Sequence, residues 1–211
     1  MSPADYFWLS LLAKAALTAA IIVSASLIVE RGGPFLGAMV ASLPTSVGAA
    51  YVVMAFEHTP QFISNSALGS LVTNPAGVIC AAVYALLARK RSLAVSLGSA
   101  LLAWFVCAGL ARLFNFNIWT ALLLNIVTAA IAIPLTGAAR RASFERAEKA
   151  GRSYDIPLRA AAVAIFVIAL TTASHSIGSF ATGMFAVFPV ALSSFIVILH
   201  PRIGGPAASN V

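Results

Sequence analysis

Long apolar stretches dominate this chain and limit what it can fold into. Seven of them are each about 20 residues long, which is the length of helix that crosses the hydrocarbon core of a bilayer. They cover residues 7–29, 34–56, 66–88, 92–111, 118–138, 159–176 and 179–200, here called spans 1 to 7. Since backbone amides and carbonyls in lipid must bond within their own segment, such stretches favour helices. The sequence therefore predicts an all-α, polytopic transmembrane helix bundle of about seven spans.

The composition agrees with a membrane class. Of the 211 residues, 61% are hydrophobic and 9% are charged, whereas about a quarter of the residues of a soluble domain are charged. The net charge of +7 is divided among short clusters between the apolar stretches, without the basic face and interleaved aromatic residues typical of nucleic-acid binding. We therefore expect the lipid bilayer to be a partner and nucleic acid not to be one.

Two phrases near opposite ends of the chain match each other. GPFLGAMVASLP (33–44) and GSFATGMFAVFP (178–189) share glycine, phenylalanine, methionine, alanine and proline at a constant offset of 145 residues. Lys14 and Arg159 match at the same offset. The interval holds five predicted spans, and an odd number reverses the direction of the copy. This predicts an inverted-topology repeat of spans 1–2 and 6–7, as in many secondary transporters; the alternative is generic packing of small residues and proline.

Lysine and arginine cluster in the segments 89–91 and 140–152, and cytoplasmic loops are enriched in these residues. With seven spans both segments lie on one side, which places the N-terminus outside and the C-terminus in the cytoplasm. The predicted parts are a first repeat of five helices (1–138), a charged cytoplasmic loop (139–158) and the start of a second repeat with two helices (159–211). The second repeat is unfinished, so the chain is truncated, has a five-plus-two fold, or is completed by a partner.

Pro44 and Pro189 lie near the middle of spans 2 and 7. Proline removes an amide donor and disrupts a helix, so both spans are predicted to kink or break there. Free backbone groups at a broken span can hold a solute, which makes both prolines candidate substrate-binding residues. The alternative is an ordinary kink satisfied by a neighbouring serine or threonine. Further breaks are predicted at Asn74-Pro75 and at Pro134.

Polar side chains within the spans are further candidate substrate-binding residues. Lys14 in span 1 and Arg159 near the inner end of span 6 would form two cationic gates for an anion. The alternative is that both side chains extend to the headgroup region. Asn74 and Asn125 are predicted to be buried amides, which need a partner either on another helix or in a substrate.

Other titratable residues lie at span ends. The position of Glu30 and Glu57 there argues against a carboxylate-based cation site and against an acidic proton relay. His175 aligns with Glu30, and it either changes charge near neutral pH or marks a helix end. His58 and His200 have no ligand-like spacing, so we expect no metal and no cofactor. Enzyme motifs are absent, and no catalytic residue or enzymatic activity is predicted.

The run from Lys14 through Glu30 to GPFLGAMVASLP resembles small bacterial inner-membrane proteins of the GlpM kind, which have a similar K…E…GP…G…LP line early in a small multi-span chain. The resemblance covers residues 14–57, with a weaker echo at 159–200. It implies a multi-pass protein of the bacterial inner (plasma) membrane. It implies no particular activity, because that group has none that is settled.

Together these features predict a secondary transporter or permease for a small anionic or polar solute. It would work by alternating access about a midplane site at the broken spans 2 and 7. The alternative is a non-transporting structural or assembly subunit of a larger membrane complex, which would explain the compact loops and the unfinished repeat. The expected partners are the solute, the bilayer, and a second copy or other chains of a membrane complex.

Overall fold

The computed structural model describes residues 3–31, 45–136 and 155–208. Within these ranges the regular secondary structure is entirely helical, which confirms the all-α class. The helices are α1 (Pro3–Arg31), α2 (Thr45–Glu57), α3 (Pro60–Leu87), α4 (Leu93–Ala111), α5 (Ile118–Thr136), α6 (Asp155–Ile177), α7 (Ser179–Ala186), α8 (Val190–Ile203) and α9 (Gly205–Ala208).

Four helical segments are long and apolar enough to cross a membrane. They are Pro60–Leu87, Leu93–Ala111, Ala160–Ile177 and Ser179–Arg202, and three shorter apolar helices cover Leu11–Ile21, Ser46–Glu57 and Ile118–Pro134. Large apolar side chains lie exposed on these helices, for example Leu102, Trp119 and Ile165 at 65%, 76% and 68% exposure. Extensive exposed apolar surface is unfavourable in water, so the fold suits a membrane-embedded protein.

Helix α3 begins earlier than span 3 was predicted to begin. It starts at Pro60, because proline is favoured in the first turn, where its missing amide hydrogen has no partner to lose. The Thr59 hydroxyl caps the helix by accepting a hydrogen bond from the Phe62 amide at 3.3 Å. Residues 60–65, which the sequence placed between spans 2 and 3, are therefore helical, and the link between α2 and α3 is only His58 and Thr59.

Helices α3 and α5 continue through Pro75 and Pro134, so the breaks predicted at these two prolines are wrong. At Pro75 the physical reason lies on α5. Proline has no amide hydrogen, and the carbonyl of Leu71 four residues earlier loses its helical partner. The side-chain amide of Asn125 donates to that carbonyl at 2.7 Å. The freed backbone group is satisfied by a neighbouring helix, and α3 stays intact.

Span 7 is broken as predicted, because α7 ends at Ala186 and α8 begins at Val190, with Pro189 between them. At the other end of α7, Gly178 has a φ of 80°, a left-handed conformation that glycine adopts without steric penalty. This single residue connects α6 to α7. The matching Pro44 of span 2 lies outside the described residues, as does the charged segment 137–154.

The chain forms two compact units, each built from segments distant in sequence. The first contains residues 1–66 and 153–191. Within it, α1 packs against α2 and α6, and α2 and α6 pack against each other and against α7. Small and β-branched side chains from α2 and α6 dominate its core, which consists of Ala49, Ala50, Val53, Met54, Ala160, Val163, Val167, Leu170 and Ala186.

The second unit contains residues 67–152 and 192–211. Its helices bury narrow stripes, since a spacing of four residues keeps side chains on one helix face. On α4 the stripe is Ser96, Ala100, Trp104 and Ala108, and on α3 it is Val72, Ala76, Cys80 and Tyr84. The Tyr84 hydroxyl also lies 2.8 Å from His200 Nδ1, which connects α3 to α8.

Candidate functional site

Lys14 on α1 forms an ion pair with Glu57, the last residue of α2. The Nζ atom lies 2.8 Å from Oε1, and the side chains are 12% and 21% exposed. A carboxylate is unfavourable at the negative C-terminal end of a helix, and Lys14 offsets this charge. Because a lone ion out of water costs several kcal/mol, each of the two side chains needs the other.

Two buried side-chain oxygens on α1 and α2 are unsatisfied within the part of the chain that the structure describes. One is Oε2 of Glu57, and the other is Oγ1 of Thr18, one helical turn after Lys14 on the same face of α1. Thr18 is fully buried. Since buried polar groups are nearly always hydrogen-bonded, these oxygens mark positions that a solute group or a water molecule can occupy.

His58 directly follows Glu57 and contacts Ser174 on α6. Its Nε2 atom lies 2.6 Å from Ser174 Oγ, and that hydroxyl donates its one hydrogen to the Thr171 carbonyl at 2.6 Å. A serine hydroxyl has no second hydrogen, so Nε2 of His58 must carry the hydrogen and donate to Ser174. Nδ1 of the neutral ring is therefore an acceptor.

Two rings adjoin His58. Phe62 stacks on it with centroids 3.8 Å apart and planes within 7°, and the His175 ring lies at 4.7 Å. Burial lowers the pKa of His58 from its ordinary value of 6.5, and the nearby His175 lowers it further. Glu57 raises this pKa and Lys14 lowers it. The charge state of His58 thus responds to both members of the ion pair.

We call Lys14, Glu57, His58, Ser174 and His175 the polar cluster. All five lie in the first unit, on α1, on the end of α2 with its link to α3, and on α6. Pro189, in the break between α7 and α8, belongs to the same unit. Of the predicted site residues, the structure therefore brings Lys14 and Pro189 into one compact unit.

Asn74 and Asn125 contact each other in the second unit. Asn74 Nδ2 donates to Asn125 Oδ1 at 2.8 Å, and Asn125 Nδ2 donates to the carbonyls of Leu71 and Ala121 at 2.7 and 2.8 Å. Both hydrogens of the Asn125 amide are used within the protein. This geometry favours the helix-to-helix alternative over a substrate contact. Asn74 is exposed and Asn125 is half-buried, which corrects the expectation that both are buried.

The side chains of two predicted site residues lie outside the part of the chain that the structure describes. Pro44 is one, and the other is the side chain of Arg159, whose backbone lies in the first turns of α6. The pairing of Lys14 and Arg159 as gates stays a prediction. Within the described ranges, no group of three His, Cys, Asp or Glu residues is arranged to hold a metal ion.

Four members of the polar cluster were missed as site residues, namely Glu57, His58, Ser174 and His175. The sequence did contain a signal that could have identified Glu57. A lysine within an apolar span needs a carboxylate partner, and the chain offers only 6 acidic residues for that role. No signal identified the contact between His58 and Ser174, which are 116 residues apart in sequence.

Comparison with protein-family models, with curated proteins and with solved structures finds no match to this chain. The resemblance to proteins of the GlpM kind stays a prediction.

Replacing Asn125 tests the role assigned to it. Asn125→Leu removes the donor to the partly buried Leu71 carbonyl. We expect a loss of up to about 1–3 kcal/mol in the free energy of unfolding, which is the cost of leaving a buried acceptor unsatisfied. Pro75→Ala returns an amide hydrogen to that carbonyl, so the double variant should recover most of the loss. Thermal unfolding in detergent measures both. Additive losses in the double variant would disprove the repair of α3 by Asn125.

Proposed function

We propose that this protein is an integral membrane secondary transporter, or permease, for a small anionic or polar solute. The polar cluster carries this proposal, since it joins Lys14, which lies within span 1, to a carboxylate and two histidines at the ends of α2 and α6. Ionisable groups inside membrane proteins are costly and generally belong to the path of a solute or an ion.

The packing of the first unit supports an inverted repeat. Helices α1 and α2 pack in that unit with α6 and α7, which belong to the proposed copy. Helix α2 ends at Glu57 and helix α8 ends at Ile203. The second end lies one residue beyond the position that the offset of 145 predicts from the first. The break at Pro189 supplies irregular backbone of the kind that lines solute sites in such transporters. We infer seven spans in a bacterial inner membrane, with the C-terminus in the cytoplasm.

The Lys14–Glu57 pair is the proposed solute contact. Glu57 neutralises Lys14 when no solute is bound, so an anionic group binds by replacing the carboxylate at the Lys14 ammonium. A hydroxyl or amine of the solute can donate to the unsatisfied Oε2 of Glu57. Arg159, the counterpart of Lys14 in the repeat, would serve the opposite approach.

The second candidate function is a structural or assembly subunit without transport activity. Exposed apolar side chains on α4 and α5, such as Phe105, Leu123 and Ile126, form surfaces that another chain could cover as well as lipid. Purification distinguishes the two candidates. A stable monomer or homodimer favours the transporter, whereas obligate co-purification with other chains favours the subunit.

Counterflow into proteoliposomes tests the transport proposal. Vesicles are loaded with unlabelled succinate, inorganic phosphate or glycine, and uptake of the labelled compound is followed. We expect saturable uptake of at least one probe above that of protein-free vesicles. Lys14→Gln should slow it about tenfold or more, because a hydrogen bond to a charged group contributes about 1.5–3 kcal/mol and about 1.4 kcal/mol corresponds to tenfold.

Lys90→Gln is the matched control, since Lys90 is an exposed residue of the turn between α3 and α4. It should transport at the wild-type rate. Wild-type rates from Lys14→Gln at equal protein content would remove Lys14 from the site. Absence of saturable uptake for every probe would count against the transporter itself.

A further inference from the structure

We propose that this transporter couples its solute to a proton, which binds at His58 and draws the Glu57 carboxylate away from Lys14. The inference rests on the proposed transport function and names the coupling ion. Its geometric basis is the juxtaposition of an ion pair, a carboxylate oxygen that is unsatisfied among the described residues, and a histidine whose Nδ1 has no hydrogen-bond partner among them.

The hydrogen-bond pattern defines where the proton binds. Ser174 Oγ gives its hydrogen to the Thr171 carbonyl, so Nε2 of His58 already carries one. Nδ1 is the atom left to take up a proton from water. The stacked Phe62 ring keeps the imidazole plane in place, and an aromatic face tolerates the resulting cation.

The charged and titratable groups that act on His58 come from three sides of the site. Lys14 faces it from α1, Glu57 from α2 and His175 from α6, while α3 presents the uncharged Phe62. Among the described residues, burial, His175 and Lys14 disfavour a charged His58, and Glu57 favours it. Whether His58 holds a proton therefore depends on which partner the Glu57 carboxylate takes.

This dependence links the proton to the solute. An anion that binds Lys14 displaces Glu57, whose two oxygens then become acceptors for the cationic His58. By thermodynamic reciprocity, a proton on His58 attracts Glu57 and makes Lys14 available to an anion. Each ligand strengthens binding of the other, which is the requirement for moving an anion and a proton in the same direction.

Titration of the histidines tests the linkage directly. The chain has 3 histidines, so nitrogen-15 labelling of histidine in nanodiscs gives few signals, assigned with His175→Asn and His200→Asn. We expect neutral His58 to be protonated at Nε2. Glu57→Gln should lower the pKa of His58 and Lys14→Gln should raise it, because these groups act on it in opposite senses. A His58 pKa that ignores both substitutions would overturn the proposal.

Transport under an imposed pH difference tests the coupling. The ratio of succinate uptake with an acidic exterior to uptake at equal pH should exceed one for the wild type and be about one for His58→Asn. His200→Asn, whose ring contacts Tyr84 in the second unit, is the control and should keep the wild-type ratio. Saturable wild-type uptake with a ratio of one would refute proton coupling and leave transport standing. No saturable uptake of any probe would refute both.

Discussion

Removing either charge of the Lys14–Glu57 pair is expected to destabilise the protein more than removing both. Lys14→Met leaves the Glu57 carboxylate uncompensated at the end of α2, and Glu57→Met leaves the ammonium uncompensated on α1. Breaking a fully buried pair in this way costs about 3–5 kcal/mol, which is an upper bound here because the two side chains are 12% and 21% exposed. The double variant has no ion out of water, and methionine fills the volume of both side chains, so its stability should return to within about 1 kcal/mol of the wild type.

The comparison of the wild type, the two single variants and the double variant is more informative than the stability lost in any one variant. An exposed ion pair contributes about 0–1 kcal/mol, and its two single substitutions cost little. Here the side chains are only 12% and 21% exposed, so the single losses should be large and strongly non-additive. Unfolding in detergent measures the cycle, with Lys90→Met as the exposed control. Two small losses that add in the double variant would show that solvent, and not Glu57, satisfies Lys14.

A double variant (Lys14→Met with Glu57→Met) that folds but no longer transports would also show that the ion pair is needed for transport. Apolar replacements stabilise such a site as well as the ions do. An ion pair kept within an apolar bundle then serves solute binding and not stability. This outcome would separate the transporter from the structural subunit, for which the apolar pair should serve equally.

The positions of most helices follow from the sequence because a bilayer leaves an apolar chain few alternatives. Span 4 was predicted at 92–111 and α4 covers Leu93–Ala111. Span 5 was predicted at 118–138 and the described helix α5 covers Ile118–Thr136. In such segments the length of the apolar run and the need to satisfy backbone groups internally determine the outcome, and few details of packing are needed.

The effects of the prolines could not be predicted, since they depend on contacts outside the local sequence. At Pro75 the freed Leu71 carbonyl receives the amide of Asn125, 54 residues away, and the helix continues. At Pro189 the freed carbonyl is that of Phe185, which bonds to the Phe188 amide at 2.8 Å, a tight turn that ends α7. Each proline removes the same donor, but the replacement partner decides between a repaired helix and a break.

The candidate site was predicted in part for a similar reason. Lys14 stands out in the sequence because it lies within an apolar run. A charged side chain is costly in lipid, so Lys14 is recognisable as a candidate site residue without a structure. Its partner Glu57 and the neighbouring His58 lie at a span end, where polar residues are ordinary. Only the packing of α1 against α2 and α6 gives these side chains a common site.

Gly183→Ala is expected to destabilise the first unit strongly, although it adds only one methyl group. Gly183 on α7 lies against the backbone of Ser66 on α3, and a Cβ atom there would overlap the Ser66 carbonyl group. One turn earlier on α7, the Ser179 carbonyl accepts a hydrogen bond from the Ser66 hydroxyl at 2.8 Å. The two helix backbones are therefore in close contact at this point.

A backbone carbonyl cannot rotate away as a side chain can, so α7 must move away from α3 to admit the methyl group. Overpacking of this kind costs about 1–3 kcal/mol and occasionally more, which exceeds the gain of about 0.5–1 kcal/mol from replacing a helical glycine by alanine. Gly98→Ala on α4 is the matched control, because a Cβ at Gly98 meets no described atom within 4 Å apart from those of its chain neighbours and its own helix backbone, so only the gain remains. The two variants should shift the melting temperature in opposite directions. A shift of the same sign in both would mean that α3 and α7 are not held this closely.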